Sequence, residues 1–572
     1  MGTLAGSGRW VAWVLAAILL AGLGLRVWGL SFGLPNVHCR PDESTLVHRA
    51  LAIGAGDPNP HFFNYPSLHF YLLAALYGGY YVVGLLGGLF ANLAEFEAQF
   101  LIDPSFFYLL GRGLGMLLGV ASVWVLYGIG GRLGGRAVGL ASALFLACSF
   151  LHVRDSHFLT VDVPATFYLL ISLLLVLRHM GEGRTRDLIL GAVFLGLAAS
   201  TKYNMGLFAG TVLVAAYKGA TSWREWGVRL GWVLIVMGMA FVAGSPYVLL
   251  DFAAFWRDLS YERLHFVRGH DADLGRGWWY HLGFTLPLGL GWPLFVAALV
   301  GLGRWVWNRR GEEWALLVGI ASYYAVAGSG KVVFMRYMLP LLPLLCVAAG
   351  SLVAGAGRPG RCRRTAALLV LLLAVPTAWV SWRHSELLAR TDTRVLAARW
   401  IEEHIPAGSR IALCCGSDYG YPQLRLDRPA LATRLSELRG AGFAARRQQR
   451  LLALGAAMPG PGYELIELRA TNPSGFTWVW TAYGAKRLLR EQVAWIAVHQ
   501  LPGLAYSRLD SSFVAELEQI AERQVFLDPL VDDQGKRLYD PLDAFYTPVS
   551  GFAGVERPGP RIAIYRVDEL QL

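Results

Sequence analysis

Twelve apolar runs follow one another through the first 382 residues of this 572-residue chain, beginning with 10–30 and ending with 365–380. A hydrocarbon core about 30 Å thick takes about 20 helical residues at 1.5 Å each. Runs of that number and length belong in a bilayer, so the chain reads as an α-helical polytopic membrane protein. Composition agrees, because 16% of the residues are charged where a soluble domain carries about 25%. Run 10–30 lacks the short apolar centre and small-residue cleavage site of a removed leader and reads as a retained anchor.

The formal charge of +11 does not point to nucleic acid, since the basic residues gather in short loops between apolar runs, as orientation signals do. The groups are Arg132 and Arg136; Arg178, Arg184 and Arg186; Lys218, Arg224 and Arg229; Arg304, Arg309 and Arg310; and Arg358, Arg361, Arg363 and Arg364. All fall on one cytoplasmic side if the N-terminus is cytoplasmic and run 67–90 does not span. Counting that run would place Arg9 opposite every group, so it is read as an interfacial or re-entrant element. About eleven spans remain. Residues 1–382 then form the membrane module, with 31–105 an external loop carrying juxtamembrane helices, and 383–572 an extracytoplasmic domain. The expected location is the plasma or inner membrane. Several spans hold only about 13 to 16 apolar residues, too few to cross an unthinned bilayer straight. A recessed outer cavity would accommodate them.

Ionisable groups at membrane depth cost about 2.5 to 3.5 kcal/mol each, so the few present are paired or functional. Asp42 and Glu43 lie at the exit of the first span, where a carboxylate either accepts a proton from an attacking hydroxyl or only complements a helix N-terminus. Arg154 and Asp155 read equally as a solvated interfacial pair, and Asp162 either serves the site or caps the run it opens. Of 51 basic residues only five are lysines, which singles out Lys202; its ammonium either neutralises a phosphate or snorkels to the headgroups. Lys331 and Arg336 make a further cationic site, with Arg336 the costlier placement and the better anion ligand. Carboxylates and cations beside an apolar surface suit a lipid-linked phosphate with a reactive head. P-loop, GxSxG and HExxH motifs are missing, so ATP and zinc hydrolysis have no support. The six cysteines show neither CxxC spacing nor a histidine at zinc spacing, and contact of Cys39 with Cys414 or Cys415 depends on tertiary structure.

Four stretches, taken together and in order, resemble the GT-C superfamily of membrane glycosyltransferases, in the family 39 branch of protein O-mannosyltransferase-like and aminoarabinose-transferase-like enzymes. Arg40-Pro41-Asp42-Glu43 is similar to the acidic first-loop motif. Asn64-Tyr65-Pro66-Ser67-Leu68 is similar to the "PPL" element, with Ser67 for the second proline. Ser156-His157-Phe158-Leu159-Thr160-Val161-Asp162 looks like "SR....D", with His157 for arginine, and Thr201–Phe208 looks like "CKW.GLF". Arg336-Tyr337-Met338-Leu339-Pro340 adds weaker support as an "RYLLP" run. The resemblance implies a polyprenyl-phosphate-linked sugar donor, an acceptor hydroxyl on a protein, lipid or glycan at the outer face, and an inverting mechanism. Asp42 would be the base, with Glu43 beside it, and Lys202, Arg336 and Lys331 would hold the donor phosphate. Asp162, Asp155, Arg154, His157 and Tyr65 would support the substrates. A divalent metal ion, if one takes part, would use Asp42, Glu43 and Asp162. The alternative from another class is a transporter or flippase of lipid-linked sugars.

The polar tail reads as a mixed α/β domain: a helix from about Asp392 through Ile401, strands at 410–414, 477–480 and 561–565, and a helix over 513–523. No catalytic constellation is visible in it.

Overall fold

The computed structural model describes residues 3–270, 272–354, 362–414, 418–438, 443–455, 458–468, 485–501, 504, 507, 511–532, 535–543 and 545–567. Among these, six helices are long and apolar enough to cross a membrane, and up to seven if the bent pair Gly277–Leu290 and Trp292–Asn308, angled at 116°, makes one span. This corrects the expected eleven. The chain is polytopic, but many of its apolar runs are short helices packed inside a bundle. By length and composition Leu68–Leu86, expected to lie at the interface, is among the six.

The helix Arg136–Cys148 shows how a short run is accommodated. Its 13 residues reach roughly 20 Å, and its last carbonyls end inside protein, where each needs a donor. Buried Arg26 donates to Ala147 O at 3.0 Å and Leu146 O at 3.3 Å. Ser381 and Thr377 donate to Cys148 O at 2.8 and 3.2 Å, and Thr377 Oγ1 accepts from Phe150 N at 3.1 Å. Thus the N-terminal helix Thr3–Val27 and the late helix Cys362–Leu388 cap a break that redirects the chain. Beyond it, Phe150–Asp155 and the following turn run through the interior to the start of helix Asp162–Glu182. Glycines allow the close approaches of the bundle: a Cβ on Gly196 would stand 2.4 Å from Met237 O, and one on Gly301 2.2 Å from Ala348 O.

The C-terminal unit holds a five-stranded sheet in the order β2-β1-β3-β7-β4, built from β1 (Arg410–Cys414), β2 (Glu464–Leu468), β3 (Trp495–Gln500), β4 (Ala521–Leu527) and β7 (Arg561–Val567). Strands β1, β2 and β3 are parallel, and β7 pairs antiparallel with both β3 and β4. Both faces are covered, as period-two alternation requires: Ile411, Leu413, Ala497, Ile562 and Ile564 join one buried cluster, and Ala412, Cys414, Ile496, Val498 and Ala563 another. Strands expected at 410–414 and 561–565 are present; 477–480 lies outside the described residues. The helix expected over 513–523 is Ser511–Ile520, because Ala521, Glu522 and Arg523 pair with Val567, Arg566 and Tyr565 of β7. A small ribbon, β5 (Leu538–Tyr539) with β6 (Pro548–Ser550), stands apart from the sheet. The unit docks on the first loop, where Asn36 donates to Tyr421 O at 3.0 Å and Val37 N donates to Gln423 Oε1 at 2.8 Å.

The first loop is fixed from beneath by a fully buried ion pair, Arg112 with Glu43 at 2.6 Å. Arg112 also donates to the carbonyls of Leu30 and Phe32, and Glu43 Oε1 accepts from Leu159 N at 2.8 Å. Removing one partner leaves an uncompensated buried charge, so Arg112→Ala is expected to cost about 3–5 kcal/mol. The drop should appear as a lower Tm of the purified protein in detergent, while Glu43→Gln, which keeps the shape and part of the hydrogen bonding, should cost less.

Candidate functional site

A cavity of about 750 Å³ opens where the first loop, the start of η-turn Tyr203–Phe208, helix Phe252–Arg268 and the turn Met335–Met338 meet. Its size falls in the range for a small-molecule site, roughly 300–1,000 Å³. Asp42, Tyr65, Lys202 and Arg336 all line it. Residues 294 positions apart are thus brought together: Arg336 Nη1 donates to Asp42 Oδ2 at 2.8 Å. Tyr65 OH lies 3.4 Å from the same oxygen.

The backbone aims Asp42. At φ 74° it occupies the left-handed region, and its side chain makes no capping bond to the helix Glu43–Gly54 that it precedes. Such a conformation in a residue with a Cβ costs on the order of 1–3 kcal/mol and persists where surroundings impose it. Here they do: Pro41 precedes, Glu43 is clamped by Arg112, and Arg336 draws the carboxylate into the cavity. Burial resists ionisation of Asp42, but Arg336 and Arg40 outweigh it and hold the carboxyl below its ordinary range.

Lys202 ends helix Thr185–Thr201 and pairs with Asp162, the first residue of helix Asp162–Glu182. Its ammonium also stands 4.9 Å from the centre of the Tyr337 ring. Asp42, Lys202 and Arg336 thus line one space, with Asp42 paired to Arg336 and Lys202 held by Asp162.

The other expected residues fall elsewhere. Glu43 lies outside the cavity with both carboxylate oxygens engaged by Arg112. Lys331 is 44% exposed and pairs with Asp273 at 3.2 Å, away from the cavity lining. His157 is buried between the carbonyls of Val153 and Trp28, at 2.9 and 3.0 Å. Arg154 and Asp155 pair at 2.9 Å beneath the site. Asp42, Glu43 and Asp162 do not fit a metal ion, because each is committed to its own cation. Among the described residues no group of three or more His, Cys, Asp or Glu is placed to hold one. Cys39 is buried, with its thiol 3.6 Å from Gly33 O and outside any disulfide; Cys415 lies outside the described residues.

Two contributors went unread in the sequence. Helix Phe252–Arg268 brings Glu262 and His265 to the cavity, and His270 follows just beyond it. It is tied to the first loop by Asn59 to Asp251 at 2.8 Å, Phe63 N to Asp258 at 2.9 Å and Asn64 to Glu262. Burial raises the carboxyl of Glu262 and pushes His270 down to about 4, so His270 is neutral at pH 7. The available signal was a charge-dense stretch between apolar runs. The second contributor is Asp543 of the C-terminal unit, 3.9 Å from Arg336 Nη1.

A family described as dolichyl-phosphate-mannose-protein mannosyltransferase matches residues 109–249. The match takes in Arg112, Arg154, Asp162 and Lys202 but neither Asp42 nor Arg336. The chain is 27% identical over 220 residues to the undecaprenyl phosphate-alpha-4-amino-4-deoxy-L-arabinose arabinosyl transferase of Pseudomonas aeruginosa, covering 36% of this chain and 39% of that one. A Pseudomonas fluorescens protein of the same description matches at 27% over 224 residues, 37% of this chain and 40% of that one. The aligned stretch is thus about two-fifths of these relatives' own length. The crystal structure of ArnT from Cupriavidus metallidurans bound to undecaprenyl phosphate superposes with a TM-score of 0.51 at 13% identity, covering 98% of this chain and 99% of that one. At that identity the likeness speaks for the fold.

Pairing of Lys202 with Asp162 generates a stability prediction. Lys202→Met leaves the Asp162 charge buried and alone, and is expected to cost about 3 kcal/mol. In the double variant Lys202→Met/Asp162→Leu most of that loss should return, as read from the two Tm values in detergent.

Proposed function

We propose that this chain, which belongs to the GT-C superfamily of membrane glycosyltransferases, transfers a sugar from a polyprenyl-phosphate donor to an acceptor hydroxyl at the cavity of Asp42, Lys202 and Arg336. The observation that carries this reading is the convergence of Asp42, Lys202 and Arg336, drawn from three distant segments, on one space beside apolar residues such as Phe266, Val326 and Phe334. Ancestry shared with transferases that use lipid-linked sugars points the same way.

The step is a single displacement with inversion. Asp42 takes the proton of the acceptor hydroxyl as that oxygen attacks the anomeric carbon. The bond from that carbon to the phosphate oxygen breaks, and its electron pair leaves with the phosphate. Polyprenyl phosphate is a good leaving group and needs no acid. Arg336 and Lys202 stabilise the negative charge as it grows, which is fixed electrostatic catalysis in a water-poor site. Donor phosphate entering the cavity takes over part of each cation, so Arg336 releases its hold on Asp42 when the base is needed. Glu43 acts through Arg112 as a positioning residue, Asp162 holds Lys202, and Arg154 with Asp155 supports the cavity from below.

We place the cavity and the C-terminal unit on the extracytoplasmic side and the N-terminus in the cytoplasm. In support, Asp162 stands at one end of helix Asp162–Glu182, while at the other end Glu182 pairs with Arg132 and Arg184 and Arg178 pairs with Asp187. Basic residues collected at the end remote from the cavity fit the positive-inside rule.

Transfer from an undecaprenyl-phosphate sugar by the purified protein tests the reading. Asp42→Asn should abolish transfer, and native turnover in that variant would overturn the assignment of the base. Lys202→Met and Arg336→Gln should each lower kcat by about 10²–10³, the effect of losing one oxyanion-type donor. The pH profile gives a separate check. Because Arg336 keeps Asp42 below its ordinary value, the wild type should lose kcat/KM only as pH falls through that depressed pKa. Arg336→Gln should move this acid limb to higher pH.

A further inference from the structure

The cavity is not completed by the membrane module alone. Between β5 and β6 the C-terminal unit extends a loop whose residues Leu542 and Asp543 line the cavity. Asp540 and Asp543 on this loop are 3% and 4% exposed. The ribbon fixes the loop at both ends, with Leu538 opposite Ser550 and Tyr539 opposite Pro548. Tyr546 ties it to the main sheet through its hydroxyl, 2.8 Å from Ser507 Oγ, which in turn lies 2.8 Å from His499 Nδ1 on β3. Phe545 lies under the guanidinium of Arg40 at 3.9 Å and that of Arg154 at 5.1 Å.

Within this frame Asp543 acts on three arginines, Arg336, Arg154 and the buried Arg40. Its Oδ1 is 3.9 Å from Arg336 Nη1 and its Oδ2 is 3.8 Å from Arg154 Nη2. Oδ2 makes no hydrogen bond. Arg154 has Asp155 at 2.9 Å and Asp540 at 3.5 Å as further partners, and burial together with Asp543 raises the Asp540 carboxyl to about 7. Arg336 is different, because the same nitrogen that bonds Asp42 at 2.8 Å faces Asp543. A guanidinium with a second carboxylate within reach exchanges partners at a lower cost than one with a single carboxylate.

We propose that Asp543 is a positioning residue of the transfer site: its carboxylate is the alternative partner of Arg336, so that the guanidinium stays balanced at the cavity when Asp42 exchanges it for the acceptor hydroxyl. The proposal rests on the transferase reading above. It makes the C-terminal unit part of the site, since the residue arrives only when that unit is docked.

Kinetics separate this role from simple support. In Asp543→Asn Arg336 has no alternative carboxylate and holds Asp42, so kcat for transfer from an undecaprenyl-phosphate sugar should fall about tenfold or more. KM for the donor should stay level or fall, because a negative charge beside the phosphate is gone. Binding of undecaprenyl phosphate alone should be undiminished. Asp543→Glu, which restores the charge, should give a kcat between the two. A native kcat in Asp543→Asn, or a raised KM with kcat unchanged, overturns the proposal. If Asp543→Asn does not fold, Asp543→Glu is read alone: kcat below wild type at an unchanged Tm supports the role, and native kcat overturns it. Should the wild type neither bind undecaprenyl phosphate nor transfer from its sugar conjugates, the transferase reading fails and this proposal with it. A wild type that does both, matched by Asp543→Asn, defeats the positioning role alone.

Discussion

Arg336 carries the guanidinium on which two parts of the molecule meet, with Asp42 of the first loop at 2.8 Å and Asp543 of the C-terminal unit at 3.9 Å. In water such pairs are worth little, about 0–1 kcal/mol. Out of water the desolvation cost makes an unpaired partner expensive, and that asymmetry governs how this chain is put together. Several buried charges near the cavity have a counter-charge on another segment: Asp162 for Lys202, Glu43 for Arg112, and Asp540 for Arg154, which also pairs with its neighbour Asp155. The pairs link segments up to several hundred residues apart in sequence. They act as registration points for a bundle whose apolar contacts alone would tolerate sliding.

The same pairing leaves the site poised for an anion. Arg336 and Lys202 are each paired, with Asp42 and Asp162, so the proposed phosphate would perturb two established pairs. The cost is partly recovered because guanidinium and ammonium each retain a partner throughout. The fixed position of the cations follows from the fold: Lys202 ends a helix, and Arg336 sits in a short turn whose neighbour Tyr337 accepts from Tyr323 through its carbonyl at 2.6 Å. Little reorganisation would then be required in the proposed transfer.

Asp42, Lys202 and Arg336 were legible in the sequence because charge is scarce in an apolar chain, and a scarce charge at a span boundary has few uses. Glu43 was grouped with Asp42 by adjacency, yet on either side of a helix start successive side chains diverge, and one entered the cavity while the other turned to Arg112. Lys331 was read as a phosphate ligand from its neighbourhood to Arg336, and it points to solvent. Asp543 was invisible for the opposite reason: in a polar domain carboxylates are common, and only docking of that domain gives this one its meaning. Span counting failed on the short helices. A charge rule assumes that each apolar run crosses once, whereas a helix such as Arg136–Cys148 ends inside the protein under caps from Arg26, Thr377 and Ser381. In the tail, β1 and β7 were readable from their alternation, while the helix-to-strand switch at Ala521 is imposed by pairing with β7.

The central claim is that the cavity recognises the phosphate of a lipid-linked donor through Lys202 and Arg336. Binding of undecaprenyl phosphate and of undecaprenol to the purified wild type, and to the double variant Lys202→Met/Arg336→Gln, tests it most directly. The account predicts that the wild type prefers the phosphate strongly and that the double variant does not distinguish the two lipids. Equal affinity of the wild type for phosphate and alcohol would contradict it.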